Sequence, residues 1–440
     1  MDRVRLPAEA LCGDFIKVAK LFSEKNGHMI MDGIDLVDLA SRYGTPLLVT
    51  SERRLQENCA AVREAFNGAF ADCSFKYAVK ANPNPKIISL IAGEGFGADA
   101  SSPAEIEFAL AAGIAPEEIM FSPNYASADE LLFALKKGVV INLDDISQLG
   151  AFGKRVPGIL SFRLNPGFGS GGFAGIVTAG PKAKFGMPPW AIVSAYRKAK
   201  RLGVRRFGIH MMTGSNVLDY RYFGRATRAL MGFAGMIAAK AGVDFEFIDI
   251  GGGFGVPYSR GEDALDIKKA ARLVASEFSR GIERYPIGSP RLMMEPGRYI
   301  VADTTVLLGR INNVKRYSRK FVGTDVGMDL LLRPALYGAY HEVVVANKIG
   351  IGPSERVSLT GEICENTDIM AHGRMLPRTK PGDVIAFFDA GAYVYGMSSN
   401  YNGRLRPAEV LVRRSGKSEV IRRRETTSDL FATLGGRSAP

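Results

Sequence analysis

Short apolar runs alternate with longer amphipathic segments through most of residues 51–299. Eight of these runs have the length and the flanking turn residues of strands: SFKYAVK, GFGADA, EIMFSP, GVVINL, GILSFRLN, RFGIHMM, FEFIDIGGG and RLMMEPG. Helical patterns such as SPAEIEFALAAG and ASADELLFALKKG lie between them, and several end at a glycine. Eight strand–helix units over about 250 residues predict a TIM-like (β/α)8 barrel.

A doubly wound α/β sheet is the alternative architecture for such an alternating pattern. That fold usually has fewer strands and carries its glycine-rich loop near its start. Here polar, glycine-rich endings follow nearly every predicted strand. In a barrel these endings converge on one face, which is where the active site lies.

The pattern changes near residue 300. Runs such as KFVGTDVG, RVSLTGEICE, DVIAFFDAGAY and AEVLVRR read as strands without long helices between them. We therefore expect a second, mainly β domain over residues 300–440. Residues 1–50 are expected to form an extension that ends in the strand TPLLVTS, which joins the β domain because it would otherwise have no partner.

Composition narrows the class of protein. The chain has 440 residues, 46% apolar and 23% charged, which is typical of a soluble protein with more than one domain. No apolar run approaches the roughly 20 residues of a membrane span, and the start lacks the apolar stretch of a signal peptide. We therefore expect a cytoplasmic enzyme without membrane contact.

Cysteine and charge patterns exclude further classes. The four cysteines show no CxxC spacing and the four histidines are scattered, so neither a metal site nor a disulfide framework is expected. The net charge of +12 is spread along the chain rather than clustered, which argues against a nucleic-acid partner. A positive field does favour anionic cofactors and substrates.

Two residues at strand ends are candidates for chemistry. Lys80 ends the first barrel strand in FKYAVKANPNP, and a lysine there can form an imine with an aldehyde if its pKa is lowered. An isolated lysine in such a loop is more often a surface residue, so the assignment depends on its context. His210 ends the sixth strand, where a flat imidazole can stack on a cofactor ring.

The last two barrel loops carry a candidate phosphate site. Gly251–Gly253 follow strand seven, and their N–H groups can approach a phosphate closely, although three glycines also serve ordinary turns. Glu295, Gly297 and Arg298 follow strand eight in MMEPGRYI. Phosphate sites built by these two loops recur in barrels, and a carboxylate there can pair with a protonated pyridine nitrogen.

The order of the motifs resembles a known family. YAVKAN, IDIGGGFGVPY, EPGR, DVGMDLLLRPALYGAYHEV, CENTD and DAGAYVYGMSSNYNGRLRPAEVL follow one another as in diaminopimelate decarboxylases, over roughly residues 45–425. These are fold-type III, alanine-racemase-like enzymes that use pyridoxal 5'-phosphate (PLP). The resemblance implies decarboxylation of meso-diaminopimelate to L-lysine and CO2, on a barrel with an added β domain.

The resemblance also implies a role for each matching residue. Lys80 would hold PLP as a Schiff base with Asp99 nearby, and Glu295 would keep the pyridine nitrogen protonated. His210 would stack on the ring. The phosphate contacts would be Thr213, Gly251, Gly252, Gly253, Gly297, Arg298 and Tyr393. The substrate contacts would be Arg298, Arg333 and Tyr337 for the distal carboxylate, Glu365 for the distal amino group, and Tyr393.

Cys364 and Glu365 resemble a pair that a neighbouring subunit contributes, so a homodimer with shared active sites is implied. Cys364 would donate the proton that replaces CO2; its alternative interpretation is a small buried residue. Arg333 suits a carboxylate and Glu365 an ammonium, so together they can recognise the second amino-acid centre of diaminopimelate.

Two departures from the family pattern keep other functions open. Met212 stands in HMMTGS where the family usually has glycine, and the segment NPGFGSGGFAGIVTAGPKAKFGM is longer and richer in glycine than expected. Both resemble decarboxylases of D-ornithine and D-lysine, or of an amino acid tethered to a carrier protein. An amino-acid racemase and a non-catalytic PLP-binding protein are more distant alternatives; the β domain argues against the latter.

Overall fold

The computed structural model describes residues 21–171, 173 and 177–434, so residues 1–20 of the expected N-terminal extension lie outside the described residues. The chain forms two compact units. The first, here called the barrel unit, comprises Gln56–Pro257 and Gly261–Ile300. The second, the β unit, comprises the described parts of Met1–Leu55 and Val301–Pro440 together with Tyr258–Arg260.

The β unit begins with four strands, β1 (Phe22–Lys25), β2 (His28–Met31), β3 (Ile34–Asp35) and β4 (Leu47–Ser51). The barrel unit then contains β5 (Cys73–Ala78), β6 (Gly97–Ala100), β7 (Ile119–Phe121), β8 (Val140–Leu143), β9 (Leu160–Arg163), β11 (Phe207–His210), β13 (Phe245–Asp249) and β14 (Arg291–Met294). These eight strands pair in parallel and close in the order β5-β6-β7-β8-β9-β11-β13-β14. The predicted (β/α)8 barrel is confirmed, and closure of the sheet rules out the doubly wound alternative.

Helices connect the barrel strands, and local sequence explains where they begin. The helix Glu52–Asn67 precedes β5; the later helices are Pro85–Gly93, Pro103–Ala111, Ala128–Lys137, Pro189–Arg201, Tyr220–Ala241, Ile267–Arg284 and Arg298–Val301, while a 3-10 helix, Ile146–Phe152, joins β8 to β9. Ser127 caps one of them through a capping box with Glu130, and Gly138 ends it in the left-handed conformation. Asp219 caps the longest helix by accepting a hydrogen bond from the N–H of Arg221.

Two very short strands lie beside the barrel. They are β10 (Ser170–Gly171) and β12 (Gly214–Ser215), which pair in parallel. They join the long loop that follows β9 to the turn that follows β11. The loop after β9 is therefore fixed against the strand-six turn, although two-residue strands carry no periodicity that sequence can reveal.

The β unit continues with β15 (Thr305–Arg316), β16 (Lys320–Thr324), β17 (Val343–Val345), β18 (Glu355–Thr360), β19 (Ile369–Leu376), β20 (Val384–Phe387), β21 (Ala408–Val412) and β22 (Ser418–Arg422), and with helices Leu36–Tyr43, Leu332–Tyr337 and Thr427–Phe431. Nine strands form one sheet. Its strand β4 is antiparallel to β15 and parallel to β21, which confirms that the early strand TPLLVTS belongs to the β unit.

The β unit has a buried apolar core on either side of this sheet. Alternate residues of β4 belong to different clusters, since Leu47 and Val49 pack in one and Leu48 in the other. This period of two follows from the geometry of a strand buried on both faces. Within the described part of the chain, no helix is both long and apolar enough to cross a membrane.

Candidate active site

Polar side chains meet at the carboxyl ends of the barrel strands. They come from five different strands or the residues directly after them: Lys80, Asp99, His210, Asp249 and Glu295. All of them except Lys80 are buried, with at most 6% of the residue exposed. The arrangement matches the general location of active sites in this fold.

Lys80 forms an ion pair with Asp99. It lies in a 3-10 turn, Val79–Ala81, directly after β5, and its Nζ contacts Oδ2 of Asp99 on β6. The lysine side chain is 42% exposed and the aspartate side chain 1%. Burial and the nearby charge of Glu295 raise the pKa of Asp99 to about 6, against the opposing effect of Lys80. This carboxylate can therefore exchange a proton near neutral pH.

Glu295 pairs with His210. Nε2 of the histidine lies 3.2 Å from Oε2 of the glutamate, and both side chains are buried. Burial works against ionisation of Glu295, but His210, Lys80 and Arg163 outweigh it and lower the pKa to about 2. Glu295 is therefore a carboxylate at neutral pH, able to stabilise a cation in the barrel.

Asp249 is the third buried carboxyl group at this end of the barrel. It ends β13 and accepts a hydrogen bond from the N–H of Gly251 at 2.7 Å. Burial and the charge of Glu295 raise its pKa well above the ordinary value. His210, Asp249 and Glu295 each offer one donor atom within 4.8 Å of the others, a spacing that suits a cationic partner.

Several buried polar atoms of this cluster make no hydrogen bond with any described residue. They are Oδ1 of Asp99, Nδ1 of His210, Oδ2 of Asp249 and Oε1 of Glu295. Buried polar groups are normally satisfied, so such a concentration indicates a polar ligand. A carbonyl for the lysine amine and a protonated ring nitrogen for the carboxylate would use this donor set, so the residues present fit a pyridoxal group.

The glycines allow the strand-end loops to touch. Gly251 and Gly253 have positive φ angles of 71° and 92°. A Cβ at Gly252 would collide with the main-chain oxygen of Glu295, and one at Gly253 would lie 2.6 Å from the oxygen of Gly214. Gly297 is equally constrained, because its Cβ would lie 2.9 Å from Cβ of Ala78, close to Lys80 in the chain.

Two of the three glycine N–H groups that were expected to bind phosphate are engaged within the protein. The N–H of Gly251 donates to Asp249, and the N–H of Gly252 donates to Sδ of Met212 at 3.1 Å. A thioether is a weak acceptor. Met212 therefore contacts the predicted phosphate loop. A glycine at this position could not make that contact, because it has no side chain beyond a hydrogen atom.

The remaining barrel-unit candidates surround the same turn. Thr213 is buried, and Arg298 is buried with Nη2 3.4 Å from Oγ of Ser215. The long loop after β9 contacts this turn, since Oγ1 of Thr178 donates to the main-chain oxygen of Met212 at 3.2 Å. The described part of that loop therefore lies beside the candidate site.

Arg333, Tyr337 and Tyr393 belong to the β unit. The first two lie on the short helix Leu332–Tyr337, where Arg333 is only 3% exposed. Its Nη1 is 2.9 Å from Nε2 of His341, and its guanidinium lies over the ring of Tyr258 at 4.2 Å. Tyr393 has a positive φ of 58°, a conformation uncommon for a residue with a side chain.

Cys364 and Glu365 lie in the β unit, in the loop between β18 and β19. Cys364 is exposed, so the interpretation as a small buried residue is wrong. Its N–H donates to Oδ1 of Asn402 at 2.9 Å, and Oε1 of Glu365 accepts from the hydroxyl of Tyr401 at 2.7 Å. These contacts order the loop that presents both side chains.

Two further ionisable residues near the cluster, Arg163 and Glu105, were not predicted from the sequence. Arg163 ends β9, and its guanidinium lies over the ring of Phe185 at 4.5 Å. Burial lowers the pKa of Arg163, while its charge helps to keep Glu295 ionised. Glu105, whose pKa is raised by burial, accepts from the N–H of Ser101 at 2.6 Å. A polar residue at the end of a barrel strand was the available signal for Arg163.

Several known proteins are similar to this chain in sequence and fold. The family described as "Pyridoxal-dependent decarboxylase, pyridoxal binding domain" matches residues 52–302. The diaminopimelate decarboxylase of Methanothermobacter thermautotrophicus is 45% identical over 416 residues, covering 94% of this chain and 96% of that protein. That of Thermoplasma acidophilum is 44% identical over 414 residues, covering 94% and 98%.

A solved structure agrees over nearly the whole chain. The diaminopimelate decarboxylase of M. jannaschii in co-complex with L-lysine has a TM-score of 0.86 at 31% identity, covering 95% of this chain and 98% of the other. Sequence identity above 30%, near-complete coverage and the matched pyridoxal-binding region agree with one another. The chain therefore belongs to the diaminopimelate decarboxylase family of pyridoxal-dependent decarboxylases.

Proposed function

We propose that this protein binds pyridoxal 5'-phosphate and decarboxylates meso-diaminopimelate to L-lysine. The observation that carries the proposal is the cluster of Lys80, Asp99, His210 and Glu295 at the end of the barrel, in a chain 45% identical to a diaminopimelate decarboxylase. Bound pyridoxal 5'-phosphate supplies an aldehyde for amines and a ring that takes up the electron pair released with CO2.

Lys80 and Asp99 act together in holding the cofactor. A lysine amine attacks a carbonyl only when it is neutral. Asp99 contacts Nζ of Lys80 and titrates near neutral pH, so it can accept the proton that the ammonium gives up. The ion pair thereby makes Lys80 a nucleophile without water as the base.

Glu295 and His210 serve the ring. Because its pKa is about 2, Glu295 is ionised and would keep the pyridine nitrogen of a bound cofactor protonated. That proton makes the pyridine a better acceptor of electrons. His210 is held by Glu295 and presents a flat face on which the ring can stack.

The glycine loops serve the phosphate. N–H groups of Gly251–Gly253 and Gly297, the Thr213 hydroxyl and Arg298 are the proposed donors, and the family resemblance adds Tyr393. A phosphate oxygen is a stronger acceptor than a thioether. The N–H of Gly252, which contacts Sδ of Met212, would therefore be available to a bound phosphate.

The proposed substrate contacts follow from the family resemblance. Arg298, Arg333 and Tyr337 bind the distal carboxylate, with Tyr393 as a further contact, and Glu365 binds the distal ammonium. When the bond to CO2 breaks, its electron pair remains with the substrate, where the ring would delocalise it, and the Cys364 thiol would supply the proton that forms the new C–H bond at the same carbon. Following the family resemblance, Cys364 and Glu365 reach the site from the partner of a homodimer.

The second candidate function is a related decarboxylase of D-ornithine, D-lysine or a carrier-bound amino acid. The specific observation in its favour is the contact between Sδ of Met212 and the N–H of Gly252, together with the long loop that contacts Met212.

The cytoplasmic location expected from sequence stays a prediction.

Substrate profiling tests the assignment. CO2 release is measured from meso-diaminopimelate, D-ornithine, D-lysine and L-ornithine with the PLP-loaded protein. We expect turnover of meso-diaminopimelate to exceed the others by at least about 100-fold in kcat/KM, because only it offers a charged group to both Arg333 and Glu365. Fast turnover of a competitor with none of meso-diaminopimelate would overturn the proposed substrate.

A further inference from the structure

Arg333 is buried with a histidine as its hydrogen-bond partner. The arginine is 3% exposed and His341 is fully buried. Nη1 of Arg333 lies 2.9 Å from Nε2 of His341, while Nδ1 of the same ring lies 2.8 Å from the main-chain oxygen of Phe388. Both nitrogens of the imidazole are therefore used at short distance.

These two contacts determine the protonation state of His341. A main-chain oxygen only accepts, so Nδ1 must carry a proton. A guanidinium only donates, so Nε2 must present a lone pair. His341 is therefore neutral, with its proton on Nδ1, and Phe388 fixes the tautomer that makes it an acceptor for Arg333.

Tyr258 holds the same guanidinium through its aromatic face. The centre of the guanidinium is 4.2 Å from the centre of the ring, a cation–π distance. The ring also meets His341 edge to face, with centroids 5.4 Å apart and an angle of 71°. An in-plane acceptor and a stacked ring together restrict both the position and the tilt of the guanidinium.

We propose that His341 is a positioning residue, which with Tyr258 fixes Arg333 in the orientation that binds the distal carboxylate of the substrate. The inference rests on the proposed function, because it deepens the role given there to Arg333. A carboxylate is recognised by the planar fork of a guanidinium, so the angle of that plane controls affinity.

Protonation of His341 would reverse its effect. The protonated ring loses the lone pair and places a positive charge beside Arg333. Arg333 and Tyr258 are the ionisable groups in direct contact with His341. Nearby, Arg374 donates to the main-chain oxygen of His341 at 3.2 Å, and Glu342 pairs with Arg260. Asp389 also interacts with Arg333. The acceptor role of His341 toward Arg333 therefore requires the neutral ring.

Two conservative variants test the proposal in the PLP-loaded enzyme. His341→Gln can still present an oxygen near the position of Nε2, whereas His341→Asn reproduces only the Nδ1 donor and does not reach Arg333. We expect His341→Asn to raise KM for meso-diaminopimelate about 10-fold with kcat within about 3-fold, since uniform binding is lost. His341→Gln should recover most of that affinity.

Two inhibitors separate positioning from general damage. L-lysine keeps the distal carboxylate, and cadaverine is the same amine chain without it. In His341→Asn, and likewise in Tyr258→Leu, the inhibition constant of L-lysine should rise about 10-fold while that of cadaverine is unchanged. His372→Leu, an exposed histidine of the same unit, is the matched control and should change neither. Circular dichroism verifies that each variant is folded.

The outcomes distinguish two failures. A wild-type protein that does not turn over meso-diaminopimelate overturns the proposed function and the inference with it. The inference alone is overturned if the wild-type protein turns over meso-diaminopimelate normally and His341→Asn weakens the binding of L-lysine and of cadaverine equally. It is also overturned if the KM of His341→Asn is unchanged. If His341→Asn does not fold, an unchanged ratio of the two inhibition constants in Tyr258→Leu overturns it.

Discussion

Asp99 and Glu295 are both buried carboxyl groups that interact with Lys80, yet their pKa values move in opposite directions. Glu295 is surrounded by His210 and Arg163, which outweigh the cost of burial. For Asp99, burial and the repulsion of Glu295 raise the pKa, and the partly exposed Lys80 opposes them. Such a division gives one group that stays ionised and one that exchanges protons, a common arrangement in acid–base sites.

The raised pKa of Asp99 predicts a pH-dependent stability of the cofactor-free protein. Stability from the protonated carboxyl group is fully present below the ordinary pKa of 3.8 and is lost as pH rises through about 6. Asparagine does not ionise, so the Asp99→Asn variant does not lose this stability as the pH rises. The variant should therefore gain stability relative to wild type between pH 5 and pH 8, on the order of 2 kcal/mol.

Thermal and denaturant unfolding at the two pH values measures that gain. The matched control is Asp263→Asn, an exposed aspartate in a loop, for which the difference from wild type should be the same at both pH values. A difference for Asp99→Asn that does not change with pH would contradict the assignment.

At the scale of residues, the sequence predicts a position well when the residue follows or ends a regular element. Lys80, His210 and Glu295 were found because each follows or ends a barrel strand, and the structure brings them together. His341 was not assigned a role, since its function depends on Arg333 and on a main-chain oxygen far along the chain. No local pattern encodes such a contact.

Among the elements, the turns after β5, β11, β13 and β14 depend on one another. Gly252 lies against the main chain of Glu295, and Gly253 against Gly214. Because the backbone is less able to move aside than the end of a side chain, these contacts fix the proposed phosphate loop relative to the Glu295 carboxylate. A single methyl group in this region should disturb both.

We predict that Gly252→Ala lowers the free energy of unfolding by about 1–3 kcal/mol, because its Cβ collides with the oxygen of Glu295. PLP affinity should fall as well, seen as weaker visible absorbance of the lysine-bound cofactor in a titration. Gly158→Ala is the control, since nothing lies within 4 Å of its Cβ, and it should alter neither quantity. Unchanged PLP affinity in a folded Gly252→Ala protein would contradict the prediction.

Element prediction had a physical limit set by length and pairing. The eight barrel strands were found because each is an apolar run bounded by turns. The strands β10 and β12 have two residues each, too few for any period. β19 contains Ala371-His372-Gly373, whose strand propensity is weak. Pairing with β18 therefore stabilises this strand where its local sequence does not.

For the whole molecule, the family resemblance implies shared active sites in a homodimer. Mixing Lys80→Ala chains with Cys364→Ala chains tests this. In a mixed dimer one site would combine both intact residues, so equimolar random mixing should restore about a quarter of wild-type activity. Each variant alone gives the baseline. Activity that never exceeds that baseline, in samples shown to contain mixed dimers, would mean that each site is built from one chain.

The position of β4 in its sheet has a consequence for folding during synthesis of the chain. This strand is made early by the ribosome, yet both of its neighbours, β15 and β21, are encoded beyond the entire barrel. A nascent chain must therefore carry an apolar, unpaired strand throughout translation of the barrel. Such a segment is a natural target for chaperones, and synthesis that stops before β21 leaves it exposed to aggregation.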